Sequence, residues 1–553
     1  MESEFYTPIP DGYKSGKTKY LIITGSVMSG LGKGIFSASI GKLLQDNGYV
    51  CSPIKMDGYL NVDAGTLNPY RHGEVFVLDD GLECDMDLGT YERFLNKNLS
   101  EQNYLTGGKI FKEVLKRERE GGYLGRDVQF IPHVTGEIKL FLRNLAMNTK
   151  ADVVAVEVGG TVGDIENEYF FEAMRQLAYE EGEGNSCFVN VTYVLEPHFL
   201  GEQKSKAAQL GIKRLMEKGI QPDIIACRAT NPVTYKVREK ISIYSNVPVE
   251  NVVSCHDRKS IYTVPTMLKE AGIDKSVMEI LKLKNKPRPE SKEWLDFVKN
   301  TTSRKKEVTI GMTGKYTGLR DSYASIIKAL EHSGSKFRTN VKIKWIETTE
   351  IEKGKKNVVD ELKDVSGIIV PGGFGKRGTE GKIKCIEYAR KNNLPYLGLC
   401  LGFQMAMIEF ARNVCGLKDA NSTEMESDPK HPVIDILPEQ KKIEGLGGNM
   451  RLGGRDVLVK KDTKAYKLYG NKTTVRERFR HRYECNPEYI PVLEKNGLVF
   501  SGKAPKVPIM QILELPKHPF FVGVQFHPEF TSRPLAPNPL YMGFVEAAIK
   551  FGK

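Results

Sequence analysis

Two short segments near the C-terminal end carry residue types that can perform acyl transfer. Pro395–Gln404 reads PYLGLCLGFQ, which predicts a strand, a tight glycine turn with Cys400 at its apex, and a helix. A helix N-terminus favours the thiolate form of such a cysteine. Val522–Phe530 reads VGVQFHPEF and supplies His527 and Glu529. A cysteine nucleophile, a histidine base and an orienting carboxylate are the groups that acyl transfer through a thioester requires.

A glycine-rich segment suits the stabilisation of the oxyanion in the same chemistry. Pro371–Gly378 reads PGGFGKRG and follows a predicted strand, so its backbone N–H groups can be presented to a substrate. We expect the N–H groups near Gly373 and Leu401 to meet the oxyanion. The alternative for Cys400 is a buried structural thiol, and the elbow spacing together with the HPE segment argues against it.

A second glycine-rich segment lies near the N-terminal end and is typical of phosphate binding. Lys19–Ile35 reads KYLIITGSVMSGLGKGI, a strand that runs into a loop and then into a helix. Backbone N–H groups and the helix dipole can hold phosphate there, with Lys33 reaching the terminal phosphates. The regular motif places serine or threonine after the lysine, whereas this chain has Gly34. An ordinary strand–turn–helix corner is the alternative.

Because that hydroxyl normally contacts Mg²⁺, carboxylates elsewhere in the chain are expected to hold the metal. Asp79–Asp87 reads DDGLECDMD, and Glu157 ends the apolar run ADVVAVEVGG. A carboxylate at the end of a strand points into the crevice where α/β sheets bind ligands. For Asp85 and Asp87 a solvated turn is the alternative.

The segments that must position these residues follow an α/β pattern. Short apolar runs alternate with helical stretches, which predicts parallel sheets covered by helices. The predicted strands include Lys19–Thr24, Asp152–Val158, Cys187–Leu195 and Asp223–Cys227, followed by Glu307–Tyr316, Ser366–Pro371, Leu394–Gly398 and Phe521–Gln525. Between the two groups the chain is charged and proline-containing, and we interpret residues 281–306 as a linker with a short helix around Trp294 to Val298. The predicted domains are therefore residues 1–280 and 307–553.

Bulk properties exclude several classes of protein. The 553 residues carry a net charge of +12, with nine cysteines in no CxxC pair and no metal-ligand spacing. Neither a disulfide framework nor structural zinc is expected. The basic residues are dispersed and accompany no nucleic-acid motif, so no nucleic-acid partner is expected and polyanionic small substrates remain. No apolar run would span a bilayer or act as a signal peptide, which favours a cytoplasmic protein without membrane contact.

Long stretches of the chain resemble the CTP synthase family. SGLGKGI, KMDGYLNVDAGTLNPYRHGEVFVLDDGLECDMDLGTYERF and EVGGTVGDIE are similar to its amidoligase domain. GLCLG together with HPE is similar to a class I glutamine amidotransferase domain, and RERFRHRYECN also resembles the family. The resemblance implies an α/β fold, with a P-loop-like parallel-sheet amidoligase domain followed by an α/β class I glutamine amidotransferase domain.

The resemblance also implies an activity and its partners. A member of this family would be a ligase that uses ATP with Mg²⁺ to convert UTP into CTP, with ammonia released from L-glutamine. That reaction is the last step of de novo pyrimidine nucleotide synthesis. The resemblance implies GTP as an activator, CTP as a feedback inhibitor and a homotetramer built as a dimer of dimers, in a family known for filaments.

Site residues are carried over by position from the same resemblance. ATP contacts are implied at Ser29, Gly30, Leu31, Gly32, Lys33, Gly34, Ile35, Lys55, Asp87, His256, Asp257 and Arg258. UTP and CTP contacts are implied at Ser29, Asp164, Ile165, Glu166, Lys204, Ser205, Lys206, Ala207, Ala208, Gln209 and Lys240. Glutamine contacts are implied at Gly373, Leu401, Gly402, Phe403, Gln404, Glu424 and Arg482. Mg²⁺ ligands are implied at Asp87 and Glu157.

Ammonia that escapes into bulk water becomes protonated, so the two domains are expected to share a sheltered route for it. His72, in NPYRHGEVFV, matches the position that the family places between this route and the UTP site. A structural histidine is the alternative reading of His72.

Departures from the family pattern lie around the nucleotide sites. The stretch KTKPTQHSV of the family reads KSKAAQLGI at residues 204–212, where Ala207 and Ala208 replace proline and threonine. We expect this change to loosen the hold on the triphosphate and to weaken CTP feedback. Gly58 replaces proline in KMDPY, and residues 256–262 read HDRKSIY in place of KDVDSIY.

Two other functions are compatible with parts of the sequence. One is an amidoligase of similar build that amidates a small carboxylate, such as a corrinoid precursor, and the long pyrimidine-site matches oppose it. The other is a polymer-forming scaffold with little activity. The presence of Cys400, His527, Glu529 and Lys33 opposes a loss of catalysis.

Overall fold

The computed structural model describes residues 6–197, 201–284, 291–303, 306–314, 320–436 and 450–552. The chain divides into two compact units: the first comprises Met1–Ala64 and Asp87–Val298, and the second comprises Gly65–Met86 and Lys299–Lys553. Gly65–Met86 therefore lies in the first half of the chain but groups with the second unit. The functional domain limits 1–280 and 307–553, with the linker 281–306, stay a prediction.

The strands are numbered in chain order. They are β1 (Lys19–Gly25), β2 (Cys51–Asp57), β3 (Val75–Val77), β4 (Glu83–Asp85), β5 (Tyr104–Thr106), β6 (Val153–Val158), β7 (Ser186–Tyr193), β8 (Ile224–Ala229), β9 (Val252–His256), β10 (Lys306–Gly314), β11 (Thr339–Glu347), β12 (Gly367–Val370), β13 (Tyr396–Leu399), β14 (Ala420–Ser422), β15 (His431–Asp435), β16 (Arg451–Val459), β17 (Thr474–His481), β18 (Glu484–Cys485), β19 (Val499–Lys503), β20 (Met510–Glu514) and β21 (Phe521–Val524).

The α-helices fall between these strands. Those up to residue 302 are Lys33–Asp46, Pro69–His72, Met86–Leu95, Gly107–Arg119, Thr135–Thr149, Glu168–Glu181, Lys206–Glu217, Tyr235–Ser245, Val264–Glu270, Ile273–Ile280 and Lys292–Thr302. Those that follow are Ala324–Lys336, Thr348–Glu352, Val358–Leu362, Thr379–Lys391, Leu401–Asn413, Lys464–Leu468, Ile490–Lys495, Pro528–Thr531 and Pro539–Phe551. None of the helices in the described ranges is long and apolar enough to cross a bilayer.

The first unit is built on a parallel sheet in the order β5-β2-β6-β1-β7-β8-β9. Along β1, Tyr20 and Ile22 belong to one apolar cluster and Leu21 and Ile23 to another, and all four are fully buried. Both faces of the sheet are therefore covered, which explains why these strands read as continuous apolar runs. The predicted parallel sheet is confirmed, with strand ends shifted by one or two residues.

The second unit has a mixed sheet in the order β11-β10-β12-β13-β21-β20-β19-β16-β17. The strands from β11 to β21 are parallel, and those from β21 to β17 are antiparallel. The predicted strands of this unit occur as β10, β12, β13 and β21, although the last two residues predicted for β10 lie outside the described ranges. The pair β3 and β4 forms a separate antiparallel hairpin.

The segment interpreted as a linker contains the helix Lys292–Thr302. Trp294 and Phe297 on this helix are buried. Their rings contact Tyr262, with centroid distances of 5.9 and 5.2 Å, and Trp294 also contacts Phe94 at 5.8 Å. The apolar spacing noted around Trp294 thus anchors this helix to the first unit. Residues 285–290 and 304–305 of the segment lie outside the described ranges.

A buried ion pair joins two helices that cover the first sheet. The side chains of Arg143 and Glu181 are both completely inaccessible to solvent, and Arg143 Nη2 lies 2.9 Å from Glu181 Oε1. The same guanidinium donates to Glu180 at 2.8 Å. Burial lowers the pKa of Arg143, but its hydrogen bonds and charge interactions with both glutamates outweigh burial and raise it. Arg143 therefore remains charged and neutralises the buried carboxylate.

Arg143→Ala is expected to lower the free energy of unfolding of the first unit by about 3–5 kcal/mol, because it leaves Glu181 as an uncompensated buried charge. The chain has two tryptophans, Trp294 in the first unit and Trp345 in the second. In a Trp345→Phe background, urea unfolding followed by tryptophan fluorescence therefore reports on the first unit.

The control is Arg175→Ala. Arg175 makes an exposed pair with Glu172 three residues away, so its removal should change the same free energy by less than about 1 kcal/mol. Equally small effects of the two substitutions would contradict the importance assigned to Arg143.

Candidate functional site

Cys400 lies at a sharp elbow between β13 and the helix Leu401–Asn413 in the second unit. Its φ is 50° and its ψ is −99°, a conformation that non-glycine residues rarely adopt. Close packing enforces the turn: a Cβ at Gly402 would collide with the backbone carbonyl of Val370. The amide of Cys400 also donates to the carbonyl oxygen of Val524 at 2.7 Å. The strained residue is the predicted nucleophile, as is common at functional sites.

The structure brings His527 and Glu529 to the same place. Nδ1 of His527 lies 2.7 Å from Oε1 of Glu529, and both residues are buried. Burial lowers the pKa of His527, but the Glu529 carboxylate and Cys400 outweigh burial and raise it to about 10. The imidazole is therefore cationic at neutral pH, and a cationic imidazole is the partner that stabilises a thiolate. The thiol also lies 3.5 Å from the carbonyl oxygen of Arg480.

A cavity of about 140 Å³ opens onto these three residues. Gly372 and Gly373 line it, and a Cβ at Gly372 would lie 2.9 Å from Cε1 of His527. Leu401 is the first residue of its helix, so its N–H has no acceptor within the helix. A Cβ built on Gly373 would lie 3.8 Å from Cδ2 of Leu401, so the two residues named in the oxyanion prediction are neighbours.

The residues predicted to bind glutamine are arranged around the same elbow. Leu401, Gly402, Phe403 and Gln404 form the first turn of the helix after Cys400. Gln404 is buried and donates to the carbonyl oxygen of Tyr483 at 2.9 Å. Glu424 accepts from the amide of Gly375 at 2.7 Å, and Arg482 directly follows β17. Of the predicted glutamine contacts, Gly373 lines the cavity itself.

In the first unit, β1 leads into the predicted phosphate loop. Val27, Gly30 and Gly32 have positive φ angles of 81°, 72° and 76°, so the backbone curls before the helix that begins at Lys33. Lys33 is buried, and its Nζ donates to the carbonyl oxygen of Gly160 at 2.6 Å. Burial lowers the pKa of Lys33. The loop thus ends at a buried lysine whose amino group lies within hydrogen-bond distance of the segment after β6.

A cavity of about 340 Å³ brings the phosphate loop together with the predicted adenine segment. It is lined from one side by the loop and from another by His256, Asp257 and Arg258. Arg228 also lines it and donates to Asp257 at 2.7 Å. Arg228 was not predicted, because it directly follows a predicted strand and belongs to no recognised motif.

Lys55 joins the two predicted metal ligands. Its Nζ lies 2.5 Å from Oδ2 of Asp87 and 2.9 Å from Oε1 of Glu157. Burial raises the pKa of Glu157 and Asp87 adds to this, while the positive charge of Lys55 opposes it. Tyr91, which the sequence analysis did not single out, donates to Oε2 of Glu157. Asp87 therefore belongs to a charge cluster and not to a solvated turn.

The predicted pyrimidine contacts are not gathered around one cavity. Lys240 lines a cavity of about 700 Å³ together with the neighbouring Gln203, whereas Asp164 accepts from the amide of Thr161 at 2.8 Å in the loop after β6. Ile165 is 81% exposed.

Further positions in the family's pyrimidine stretch lie on the helix that begins at Lys206. Ser205 accepts a hydrogen bond from the buried Gln209 at 3.0 Å, and Lys204 pairs with Glu202. Ala208 is fully buried in an apolar cluster with Ile212, whereas Ala207 is half-buried. A threonine hydroxyl at position 208 would therefore be buried among apolar side chains.

One other departure from the family pattern has a local explanation. A Cβ at Gly58 would collide with the side chain of Asn167 and the carbonyl of Glu166, so this close approach excludes a larger residue. His72 ends the helix Pro69–His72 in the segment that groups with the second unit, and it is exposed.

Known proteins are similar to this chain over most of its length. Residues 19–283 match the family model of the CTP synthase N-terminus, and residues 319–547 match that of the class I glutamine amidotransferases. A CTP synthase of Archaeoglobus fulgidus is 50% identical over 534 residues, which cover 96% of this chain and 99% of the relative. A CTP synthase of Pyrococcus furiosus is 50% identical over 535 residues, with coverages of 97% and 98%. The chain belongs to the CTP synthase family.

Membership of the CTP synthase family makes the chain a glutamine-hydrolysing ligase that forms CTP from UTP with ATP. The predicted α/β fold class and the predicted family are confirmed. Among solved structures, the glutaminase domain of the Trypanosoma brucei enzyme with bound acivicin is 37% identical, with a TM-score of 0.41, and covers 44% of this chain and 94% of that domain. An amidoligase acting on a corrinoid precursor is inconsistent with the whole-chain identity.

In this member of the CTP synthase family, the structure explains why glycine follows the phosphate-loop lysine. A Cβ at Gly34 would collide with the carboxylate of Asp87. The place where a regular phosphate loop carries its metal-binding hydroxyl is thus occupied by the carboxylate of Asp87, a predicted metal ligand. The departure from the regular motif is a replacement of the hydroxyl by a carboxylate.

Gly34→Ser tests whether glycine is present to make room for Asp87 or whether the loop merely lacks a hydroxyl group. It creates the residue type of the regular motif but displaces Asp87, so ammonia-dependent CTP synthesis should fall about tenfold or more. Glutamine hydrolysis by the same variant, measured as glutamate release, is the control and should persist. Synthesis that is unchanged or faster would show that Asp87 does not need this position.

Proposed function

We propose that the two clusters divide the reaction between them. The cluster around Cys400 releases ammonia from glutamine, and the cluster around Lys33 activates UTP with ATP. The observation that carries this proposal is that a strained cysteine elbow with a cationic histidine and a phosphate loop with two paired carboxylates occur in the same chain.

In the second unit, the sulfur of Cys400 attacks the side-chain amide carbon of glutamine. The oxyanion that forms is met by the N–H groups of Gly373 and Leu401, and His527 gives its proton to the departing nitrogen. Ammonia leaves and a thioester to Cys400 remains. Water, deprotonated by His527, then releases glutamate and the thiol. Glu529 holds the histidine ring in the orientation that both steps need.

In the first unit, the γ-phosphoryl group of ATP is transferred to O4 of UTP, and ammonia then displaces phosphate at C4 to give CTP. Lys33 and Lys55 neutralise the charge on the phosphate oxygens, and backbone N–H groups of residues 29–35 orient them. We assign the adenine end of ATP to the cavity beside His256, Asp257 and Arg258.

Asp87 and Glu157 fit a magnesium ion. Both are oxygen donors beside the phosphate loop, and both already share one cation, the ammonium group of Lys55. Bound there, Mg²⁺ would neutralise charge on the nucleotide phosphates. The ion would take the place of the ammonium group of Lys55 between the two carboxylates, and Lys55 would turn toward the phosphates.

We further propose UTP and CTP contacts at residues 164–166, 204–209 and 240, with passage of ammonia near His72. GTP activation, CTP feedback and a homotetrameric assembly are part of the same proposal and rest on the family resemblance. We also place the reaction in the cytoplasm.

Paired substitutions test the division of labour. Cys400→Ala should abolish CTP formation from glutamine while formation from ammonia stays near the unsubstituted level, because the nucleophile serves hydrolysis alone. Lys33→Ala should abolish CTP formation from both nitrogen sources and leave basal glutamate release intact. CTP formation is followed by absorbance, and glutamate release by a coupled assay. Loss of both activities in Cys400→Ala, or ammonia-dependent synthesis in Lys33→Ala, would contradict the proposal.

A further inference from the structure

The hairpin Val75–Asp85, formed by β3 and β4, is attached to β17 by arginine side chains. Arg476 makes a two-pronged pair with Asp79, with nitrogen–oxygen distances of 2.9 and 3.1 Å. Arg478 donates to the carbonyl oxygen of Val77 at 3.1 Å. Arg480 donates from Nε to Oε1 of Glu83 at 2.6 Å. Alternate residues of β17 thus present guanidinium groups to the hairpin.

The backbone of the same strand contacts the proposed triad. The carbonyl oxygen of Arg478 accepts from the amide of His527 at 2.8 Å. The carbonyl oxygen of Arg480 lies 3.5 Å from the sulfur of Cys400. The position of β17 therefore determines the position of both reacting side chains.

The side chain of Arg480 makes a second connection to the site. Its guanidinium lies over the ring of Phe374, 5.3 Å from the ring centroid. Phe374 follows Gly373 in the turn that is proposed to stabilise the oxyanion, and Phe374 and Arg480 both line the cavity at Cys400. Arg480 thus contacts the nucleophile through its backbone and the oxyanion turn through its side chain.

The Glu83–Arg480 pair is shielded from solvent. The two side chains are 10% and 14% exposed, whereas Arg476 is 52% exposed in its pair with Asp79. A shielded charge that loses its partner moves toward water or another partner, whereas an exposed charge is already solvated. Arg480 is therefore the arginine of this group whose placement depends most on its carboxylate.

We propose that Glu83 is a positioning residue for glutamine hydrolysis. Its carboxylate fixes Arg480, so that the carbonyl of Arg480 and the ring of Phe374 keep Cys400 and the turn at Gly373 in their relative positions. Glu83 is not among the residues that line the cavity at Cys400. Its loss should therefore lower the turnover number and leave the half-saturating glutamine concentration in place. The inference rests on the proposed roles of Cys400 and Gly373.

The test is Glu83→Gln in the full chain, with glutamate release measured over a range of glutamine concentrations. We expect kcat to fall about tenfold or more, since small displacements of reacting groups have effects of this size. KM for glutamine should stay within about twofold, since substrate binding is unchanged. Glu83→Asp, which keeps the charge, should recover part of the lost kcat. A kcat near that of the unsubstituted enzyme in Glu83→Gln would overturn the inference.

Asp79→Asn is the matched control. It removes an arginine–carboxylate pair between the same hairpin and the same strand, but the backbone of Arg476 contacts neither Cys400 nor His527 in the contacts described above. Its kcat should stay within about twofold of the unsubstituted value, since exposed pairs contribute little. An equal fall of kcat in Asp79→Asn and Glu83→Gln would overturn the inference, because hairpin attachment in general would then be responsible.

Two further measurements distinguish a positioning role of Glu83 from a loss of folding and from a failure of the proposed function. Urea unfolding followed by Trp345 fluorescence in a Trp294→Phe background reports on the second unit. A Glu83→Gln variant whose second unit is folded but whose kcat is low supports the positioning role. If Cys400→Ala retains glutamine hydrolysis, the proposed function itself fails. If Cys400→Ala abolishes hydrolysis and Glu83→Gln does not lower it, the positioning role alone fails.

Discussion

Parallel strand pairing is the constraint on which both sites depend. In a parallel sheet every strand ends at the same edge, so the segments that follow the strands converge there. In the first unit β1, β6 and β9 end next to the phosphate loop, Glu157 and the His256 segment. In the second unit β12, β13 and β21 end next to Gly372, Cys400 and His527. Residues far apart in the chain become neighbours because their strands run in one direction.

The same geometry buries charge, and each site handles that burial differently. Burial raises the pKa of the Glu157 carboxyl group. The positive charge of Lys55 and the hydrogen bond from Tyr91 oppose this shift and favour the anion. At the other site the His527 side chain is a cation. Burial lowers its pKa, but the Glu529 carboxylate outweighs burial and raises the pKa to about 10. For this histidine the folded pKa exceeds the unfolded one, so its contribution to stability is complete below about pH 6.5 and disappears as the pH rises through about 10. At each site a buried charge is thus balanced by an opposite charge beside it: Lys55 beside Glu157, and Glu529 beside His527.

Local motifs made much of this arrangement predictable, and tertiary contacts account for what was missed. The loop at Lys33 and the elbow at Cys400 are encoded by adjacent glycines and by strand-to-helix turns, so a single stretch of sequence reveals them. The pairing of Lys55 with Asp87 and the contact of Arg228 with Asp257 join segments that are separated in the chain. The antiparallel half of the second sheet and the grouping of Gly65–Met86 with that unit are likewise set by packing. The family pattern also could not reveal that Ala208 is completely buried in an apolar cluster.

The replacement at Gly34 shows how a site can keep its chemistry while its sequence motif changes. In a regular phosphate loop the metal-binding hydroxyl is adjacent to the lysine, so loop geometry alone places it. Here Asp87 fills that space from the start of a helix that directly follows the β3–β4 hairpin, and glycine is the residue that leaves room for it. The position of this oxygen ligand therefore depends on tertiary structure and not on the loop. Asp87 is also two residues beyond the end of β4, whose Glu83 pairs with Arg480 in the second unit. A short stretch of chain thus carries a proposed metal ligand at one end and, at the other, a carboxylate that pairs with a strand of the second unit.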